Sequence, residues 1–138
     1  MTKYRYIIGI DPGTNTGLAI WDSIEKKLLS VRSCKIHAAF DFICNMHNDE
    51  TLIRIEDARL RKWYGKNTKG KDQGAGGIKR DCSIWEDFLK DNGFNFEMVD
   101  PKHQTTKLSS EQFKKMTGWE GTTNEHGRDA GMLVFNHK

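Results

Sequence analysis

The sequence lacks the features that mark membrane, secreted and repeat proteins. No apolar run approaches the roughly 20 residues of a membrane-spanning helix, and the first residues do not resemble a secretory leader. The three cysteines form no CxxC pair, which argues against a zinc site or a disulfide framework. There is no internal repeat or low-complexity tail. We therefore expect reduced thiols and a reducing, cytoplasmic compartment.

The chain also lacks a strong net charge, so the distribution of its charges is more informative than their sum. The net charge of the 138 residues is only +3. Between Arg59 and Arg80, however, eight basic residues stand against one acid, Asp72. A basic segment in a chain with separate acidic clusters is typical of a protein that holds a polyanion while a metal acts on it. A hydrophobic content of 36% suffices for one core, and we expect a single domain over residues 1–138.

Three acidic clusters stand out because each one ends or begins an apolar element. Asp11 ends an apolar run and opens a glycine-rich turn, and Glu56 and Asp57 end a second apolar run. His126 and Asp129 lie three residues apart near the end of the chain, on one face of an expected helix. Carboxylates gathered at one point repel one another and need protons or a cation. Hard oxygen ligands favour Mg²⁺, so the clusters predict metal chemistry on phosphate.

Apolar periodicity predicts an α/β chain. Alternating and β-branched runs predict five strands, at residues 4–10, 17–21, 27–34, 51–56 and 94–99. Helical spacing and capping signals predict four helices, at residues 36–46, 78–89, 109–116 and 124–135. Residues 57–77 are rich in glycine and lysine and are expected to form a long loop.

The order of these elements predicts a mixed sheet with helices on its faces. Three closely spaced strands suggest an antiparallel meander, whereas the later strands are separated by helices, as in parallel crossovers. If the first and fourth strands are parallel neighbours, Asp11 and Glu56 lie at their carboxyl ends, where open α/β sheets place ligands. Strand alternation leaves open whether Glu56 or Asp57 faces the site.

These motifs resemble those of RuvC-type Holliday junction resolvases, which belong to the ribonuclease H-like superfamily. Residues 8–13 with Gly17 resemble the first motif of that family, and Glu56 after a short strand resembles the second. Residues 126–130 resemble its HxxDA-type third motif at the start of the last helix. The glycine- and lysine-rich segment 59–77 departs from cellular members. It suggests a compact relative of the kind encoded by phages or plasmids, or an organellar one.

The resemblance implies a five-stranded mixed sheet of order 3-2-1-4-5, with strand 2 antiparallel. It implies an endodeoxyribonuclease that resolves four-way junctions by paired phosphodiester hydrolysis and leaves 5′-phosphate and 3′-hydroxyl ends. Two Mg²⁺ ions, or Mn²⁺ in their place, would be bound by Asp11, Glu56, Asp129 and His126. His126 would alternatively orient water or contact the scissile phosphate. Lys107 would counter the charge of the cleaved phosphate.

The basic segment is the predicted DNA contact. Cations interleaved with aromatic side chains suit phosphate contacts and stacking on unpaired bases. The residues concerned are Arg59, Arg61, Lys62, Trp63, Tyr64, Lys66, Lys69 and Lys71. The resemblance further implies a homodimer formed through the helix at 78–89, because a four-way junction is nearly two-fold symmetric. It also implies a nucleoid-associated location, and no membrane partner is expected.

Each motif also has a plainer interpretation. Asp-Pro-Gly at Asp11 is a common turn sequence. His126 and Asp129 are compatible with a plain helix start, where an acidic side chain is favourable. Lys107 suits an exposed surface, and the basic segment suits a solvated loop. An actin-like kinase or ATPase opens with a similar strand but needs a second domain, for which 138 residues leave no room. Two alternatives stay open, namely a DNA-binding module without catalysis and a nuclease for RNA–DNA hybrids or other branched DNA.

Overall fold

The computed structural model describes residues 4–60, 69–101 and 108–137, and for residues 69–75 it describes the backbone only. Within these residues the strands are β1 Tyr6–Asp11, β2 Asn15–Asp22, β3 Lys27–Lys35, β4 Thr51–Glu56 and β5 Phe96–Val99. The helices in the same residues are α1 Ile36–Met46, α2 Lys69–Asp91, α3 Ser110–Thr117 and α4 Glu125–Val134, with a 3₁₀ turn at Ala58–Leu60. In this described part of the chain, no helix has the length and apolar character to cross a membrane.

The strands form one mixed sheet in the order β3-β2-β1-β4-β5. β2 is antiparallel to both of its neighbours, β1 and β3. β4 is parallel to β1 and to β5, and helices separate these strands in the chain, as parallel crossovers require. The predicted strand order and the antiparallel second strand are confirmed.

Successive side chains along each strand pack on opposite faces of the sheet. In β1, Ile8 and Ile10 lie in a buried cluster with side chains of α1 and α2, whereas Ile7 lies in a cluster with α3 and α4. β4 repeats the pattern, with Ile53 in the first cluster and Leu52 in the second. Near-continuous apolar strands of this kind are typical of a sheet covered on both faces. The chain therefore folds as three layers, helix on sheet on helix.

Helices α1 and α2 cover one face through their apolar stripes. Ala39 and Ile43 of α1, and Trp85 and Leu89 of α2, are fully buried. The rings of Phe40 and Trp85 join the two helices, with centroids 4.4 Å apart. Full burial of one large apolar side chain contributes about 1.5–3 kcal/mol relative to its exposure. This packing fixes the α1–α2 layer behind the sheet.

The boundaries of α1 and β4 are confirmed, whereas the start of α2 was predicted wrongly. α2 begins at Lys69 and not at residue 78, so the expected loop is shorter. Residues 69–77 contain four glycines, each of which disfavours a helix by about 1 kcal/mol. The packed half of α2 supplies the nucleus, after which each further residue adds a hydrogen bond at low entropic cost. Smaller differences affect β1 and β5, which begin two residues later than predicted, and β2, which is longer at both ends.

The predicted starts of α3 and α4 are confirmed. Ser109 and Gln112 form the capping box that opens α3, and Asn124 caps α4. Cys34, Cys44 and Cys82 are free cysteines.

Candidate active site

Asp11 and Glu56 occupy neighbouring positions at one edge of the sheet. Ile10 of β1 pairs with Ile55 of β4 in the parallel register, and both pack in the cluster with α1 and α2. Because side chains alternate along a strand, the next pair, Asp11 and Glu56, faces the opposite layer, which contains α4. Adjacent strands lie about 4.8 Å apart. The register therefore places Asp11 and Glu56 one position beyond the last pair, at the carboxyl ends of β1 and β4 and on the same face of the sheet.

Helix α4 lies unusually close to the sheet because two glycines leave room for it. A Cβ atom added at Gly17 would lie 1.9 Å from the His126 carbonyl oxygen, and one added at Gly9 would lie 2.3 Å from the Ala130 carbonyl oxygen. Both distances are far shorter than any contact that real Cβ atoms make. Gly17 pairs with Asp11 across β1 and β2. The start of α4 is therefore packed directly over the end of β1.

The cap of α4 fixes this start to the edge strand of the sheet. The Asn124 side-chain oxygen accepts a hydrogen bond of 2.8 Å from the backbone N–H of Gly127. The amide nitrogen of the same side chain donates to the Ser33 hydroxyl of β3 at 2.6 Å. One side chain thus satisfies a backbone donor of the first turn and also joins the helix to β3.

His126 and Asp129 lie on the first turns of α4. The Nδ1 atom of His126 is 3.2 Å from Oδ2 of Asp11. The Asp11 side chain is 16% exposed and the His126 side chain is 47% exposed, so the pair lies at the mouth of the site and not in the core. Asp129 follows His126 by three residues and shares its side of the helix. The structure therefore brings His126 to Asp11 and places Asp129 one helical turn further along.

Asp57 has a different environment from Glu56. It is 3% exposed, and both of its carboxylate oxygens accept hydrogen bonds from the Arg59 guanidinium. Burial alone would raise the pKa of the Asp57 carboxyl, but the bonds from Arg59 outweigh burial and lower that pKa. Strand alternation also turns Asp57 away from the face that Glu56 shares with Asp11. The geometry favours Glu56 as the acid beside Asp11.

Comparison with known proteins identifies the fold. No family model matches this chain, and no curated protein matches it. Among solved structures, a T. thermophilus RuvC in complex with a Holliday junction substrate aligns with 97% of this chain and 92% of its own, at a TM-score of 0.61 and 16% sequence identity. The chain has a RuvC-like fold. At this identity the likeness establishes the ribonuclease H-like fold, and the activity must be argued from the site.

The RuvC-like fold supplies donor groups that suit a hard divalent cation. Carboxylates such as Asp11, Glu56 and Asp129 are the ligands that Mg²⁺ and Mn²⁺ prefer, and imidazole, as in His126, also suits Mn²⁺. Across residues 4–60, 69–101 and 108–137, no three histidine, cysteine or carboxylate side chains are gathered closely enough to hold a metal ion as they stand. The four residues fit the ion by donor type and by backbone position. Their assignment as metal ligands stays a prediction.

The predicted DNA contacts lie mostly outside the described residues. This applies to Arg61, Lys62, Trp63, Tyr64 and Lys66, and to Lys107 as well. The backbone of Lys69 and Lys71 belongs to the first turns of α2, and their side chains are not described.

Arg59 is the described member of the predicted DNA contacts. Besides Asp57, its guanidinium contacts Glu86 at 3.1 Å and the Ser83 hydroxyl at 3.2 Å. The guanidinium therefore bonds to other side chains of the same protein, and its hydrogen bond to Asp57 raises the pKa of Arg59 above its ordinary value. A contact of Arg59 with DNA stays a prediction, and the geometry favours an internal role. No sequence pattern indicates this network, because Arg59 and Glu86 lie far apart along the chain.

Proposed function

We propose that this chain is a metal-dependent endonuclease that cuts branched DNA, with the four-way junction as its preferred substrate. One observation carries the proposal. Asp11 and Glu56 follow the paired residues Ile10 and Ile55 at the carboxyl ends of two parallel strands, and His126 contacts Asp11 from the helix packed above the sheet. Acidic side chains concentrated at an open edge suit the binding of cations that act on phosphate.

Phosphodiester hydrolysis needs groups that bind cations and a group that bonds the phosphate or the attacking water, and the candidate site would supply both. Asp11, Glu56 and Asp129 would hold divalent cations through their carboxylates. Bound cations supply a water of lowered pKa and stabilise charge on the leaving oxygen. Nδ1 of His126 is engaged by Asp11, so Nε2 is the atom that would bond a phosphate oxygen or the attacking water. Hydrolysis with departure of the 3′ oxygen leaves 5′-phosphate and 3′-hydroxyl ends.

The substrate class is supported by the fold neighbour and by charge. The T. thermophilus RuvC with the same fold is in complex with a Holliday junction. The basic residues from Arg61 to Arg80 would contact the phosphates of a junction arm, and Trp63 and Tyr64 would stack on splayed bases. Lys107 would counter charge at the cut phosphate. Such an enzyme would act in the cytoplasm or on the nucleoid, and a phage genome could encode it.

A homodimer would place two such sites on one junction. Ile84 of α2 is 44% exposed and lies on the side of the helix away from Trp85 and Leu89, which are buried. A two-fold dimer through α2 would bury this side chain and would match the near two-fold symmetry of a four-way junction. We expect light scattering to give a dimer for the intact chain and a monomer for Ile84→Glu. A monomeric intact chain at micromolar concentration would contradict this part of the proposal.

A DNA-binding module without catalysis is the second candidate. It requires only the RuvC-like fold and the basic residues from Arg61 to Arg80, and no metal ligand. Cleavage assays separate the two functions, because a binding module would bind junctions as a nuclease does but would not cut them.

The test is cleavage of labelled substrates by the intact chain. The panel comprises a four-way junction, a flap, an RNA–DNA hybrid and a linear duplex, each with Mg²⁺, Mn²⁺ or a chelator. We expect metal-dependent cutting of the junction first, with nicks that a DNA ligase can seal. Asp11→Asn should bind the junction but lose cleavage by at least about 10²-fold, as expected when a group that binds reacting species is removed. Asp91→Asn, which removes one exposed acid at the end of α2, is the matched control and should cut normally.

The possible results decide between the candidates. Binding without cutting by both the intact chain and Asp11→Asn would establish the module and end the nuclease proposal. Preferential cutting of the hybrid or the flap would keep the chemistry and replace the substrate.

A further inference from the structure

One guanidinium joins the residue after β4 to helix α2. Nε and Nη2 of Arg59 each donate to an oxygen of Asp57 at 2.8 Å. Nη2 also donates to Glu86 at 3.1 Å, and Nη1 donates to the Ser83 hydroxyl at 3.2 Å. We call Asp57, Arg59 and Glu86 the ion triad. It connects the carboxyl edge of the sheet to the C-terminal half of α2.

Asp57, the first member of the ion triad, directly follows Glu56 in the chain. The backbone N–H of Asp57 donates to the Val99 carbonyl at 2.8 Å, and the carbonyl of Glu56 accepts from the Cys82 thiol at 3.6 Å. The backbone N–H of Arg59 donates to the Asp57 carboxylate at 3.0 Å. The backbone after Glu56 is thus held both by β5, through the N–H of Asp57, and by the ion triad, through the side chain of Asp57.

The charges of the ion triad argue against a direct role in binding DNA. The Arg59 guanidinium is already paired with two carboxylates, and Lys90 Nζ lies 3.7 Å from the Glu86 carboxylate, so the charge of Arg59 is compensated within the protein. All three guanidinium nitrogens of Arg59 already donate to protein acceptors. The Asp57 side chain is 4% exposed and the Arg59 side chain is 28% exposed. Ion pairs of this kind add little net stability but require a defined geometry.

We propose that Arg59 is a positioning residue, which through Asp57 and Glu86 fixes the chain after β4 and so keeps Glu56 beside Asp11 for metal binding. The inference rests on the proposed function, because it assigns Glu56 to the metal site. It reassigns Arg59 from contact with DNA to control of a metal ligand. Groups that orient a metal ligand from behind typically change metal affinity or activity by about 10–100-fold when they are altered.

Two substitutions test the ion triad from its two ends. Arg59→Lys keeps the charge but loses the planar fork that spans both carboxylates. Glu86→Gln removes the link to α2 and leaves the Asp57–Arg59 pair in place. Each is compared with Asp87→Asn, which removes an exposed acid next to Glu86 on the same helix. Denaturation curves show which variants fold. If Arg59→Lys does not fold, Glu86→Gln still tests the inference, because Glu86 is the more exposed of the two carboxylates in the ion triad.

Three measurements are made on each variant. Mn²⁺ affinity is measured by electron paramagnetic resonance without DNA, junction affinity is measured in Ca²⁺, and cleavage is measured at saturating junction. We expect Arg59→Lys and Glu86→Gln to weaken Mn²⁺ binding and to slow cleavage by about 10–100-fold. Junction affinity should stay within about twofold of the intact chain, and Asp87→Asn should behave like the intact chain throughout.

The opposite patterns overturn the inference. Weaker junction binding by Arg59→Lys with unchanged Mn²⁺ affinity would make Arg59 a DNA contact. Equal behaviour of Glu86→Gln and Asp87→Asn would remove any role of the link to α2. If the intact chain binds Mn²⁺ but cuts no substrate, the proposed function fails by itself, and the Mn²⁺ measurements still decide whether Arg59 positions the metal site.

Discussion

The close contact of α4 with Gly17 gives the most direct prediction of this structure. In Gly17→Ala the new methyl carbon would lie 1.9 Å from the His126 carbonyl oxygen, 2.5 Å from its carbonyl carbon and 3.1 Å from the Asp11 Cβ. The first two are backbone atoms of a helix, which cannot rotate away as a flexible side chain does. The start of α4 must therefore move away from the sheet, or β2 must bend.

The size of the effect follows from the overlap. Carbon–oxygen contacts in proteins begin at about 3.3 Å, so the helix start must move by about 1.4 Å. Overpacking of a tight site typically costs about 1–3 kcal/mol, and for a domain of this size each kcal/mol lowers Tm by roughly 3–6 °C. A displacement of about 1 Å in a catalytic group can reduce activity about 10²-fold. Gly17→Ala should lose both stability and cleavage.

The assay pairs urea denaturation with junction cleavage, and Gly76→Ala is the matched control. Gly76 lies exposed on α2, and an added Cβ would have no heavy atom within 4 Å. Alanine there should stabilise the chain by about 0.5–1 kcal/mol, because glycine is unfavourable inside a helix. An unchanged denaturation midpoint for Gly17→Ala would refute the close packing of α4. Reduced stability with unchanged cleavage would show that the start of α4 does not belong to the active site.

Three further predictions concern the cap of α4 and the pH dependence of stability. Asn124→Ala should cost about 1 kcal/mol in urea denaturation, because a backbone donor of α4 loses its acceptor, whereas Asn124→Asp should keep most of it. Burial alone would raise the pKa of Asp22, but two backbone N–H bonds and the Arg5 guanidinium outweigh it and lower that pKa. Its contribution is then present above about pH 4 and lost as the pH falls, so Asp22→Asn should flatten the acid side of the stability curve, and parallel curves would contradict this. Burial lowers the pKa of His47, whose Nε2 accepts from the Asn95 N–H at 3.2 Å. Stability should therefore decline below about pH 6.5 in the intact chain and decline less in His47→Gln, as followed by thermal denaturation.

Most of the fold is predictable from the sequence because local patterns and tertiary packing agree. The apolar residues of α1 and β4 are spaced as their packing requires, and both elements have the predicted ends. Disagreement arises where a segment is helical without an apolar stripe. The first turns of α2 are rich in glycine and polar residues, so no local signal separates them from a loop.

The positions of Asp11 and Glu56 in the fold were predictable because they depend on strand ends. Both acids end apolar runs, and β1 and β4 are parallel neighbours, as predicted, while the assignment of the two acids to a metal site stays a prediction. The choice between Glu56 and Asp57 needed the structure, because one residue of register decides which face a side chain takes. The internal contacts of Arg59 also needed the structure, since a basic residue in a basic run gives no sign of a carboxylate partner on a distant helix.

The first motif combines an acid with an absent side chain, and the two serve one contact. Asp11 and Gly17 are partners across β1 and β2, so both lie on the face that α4 covers. Asp11 supplies the carboxylate that His126 contacts, and Gly17 supplies the space through which the His126 backbone approaches. Because changes at either position act on the same contact, their effects on the site should not be additive. The glycine therefore belongs to the site as much as the carboxylate does, although it offers no functional group.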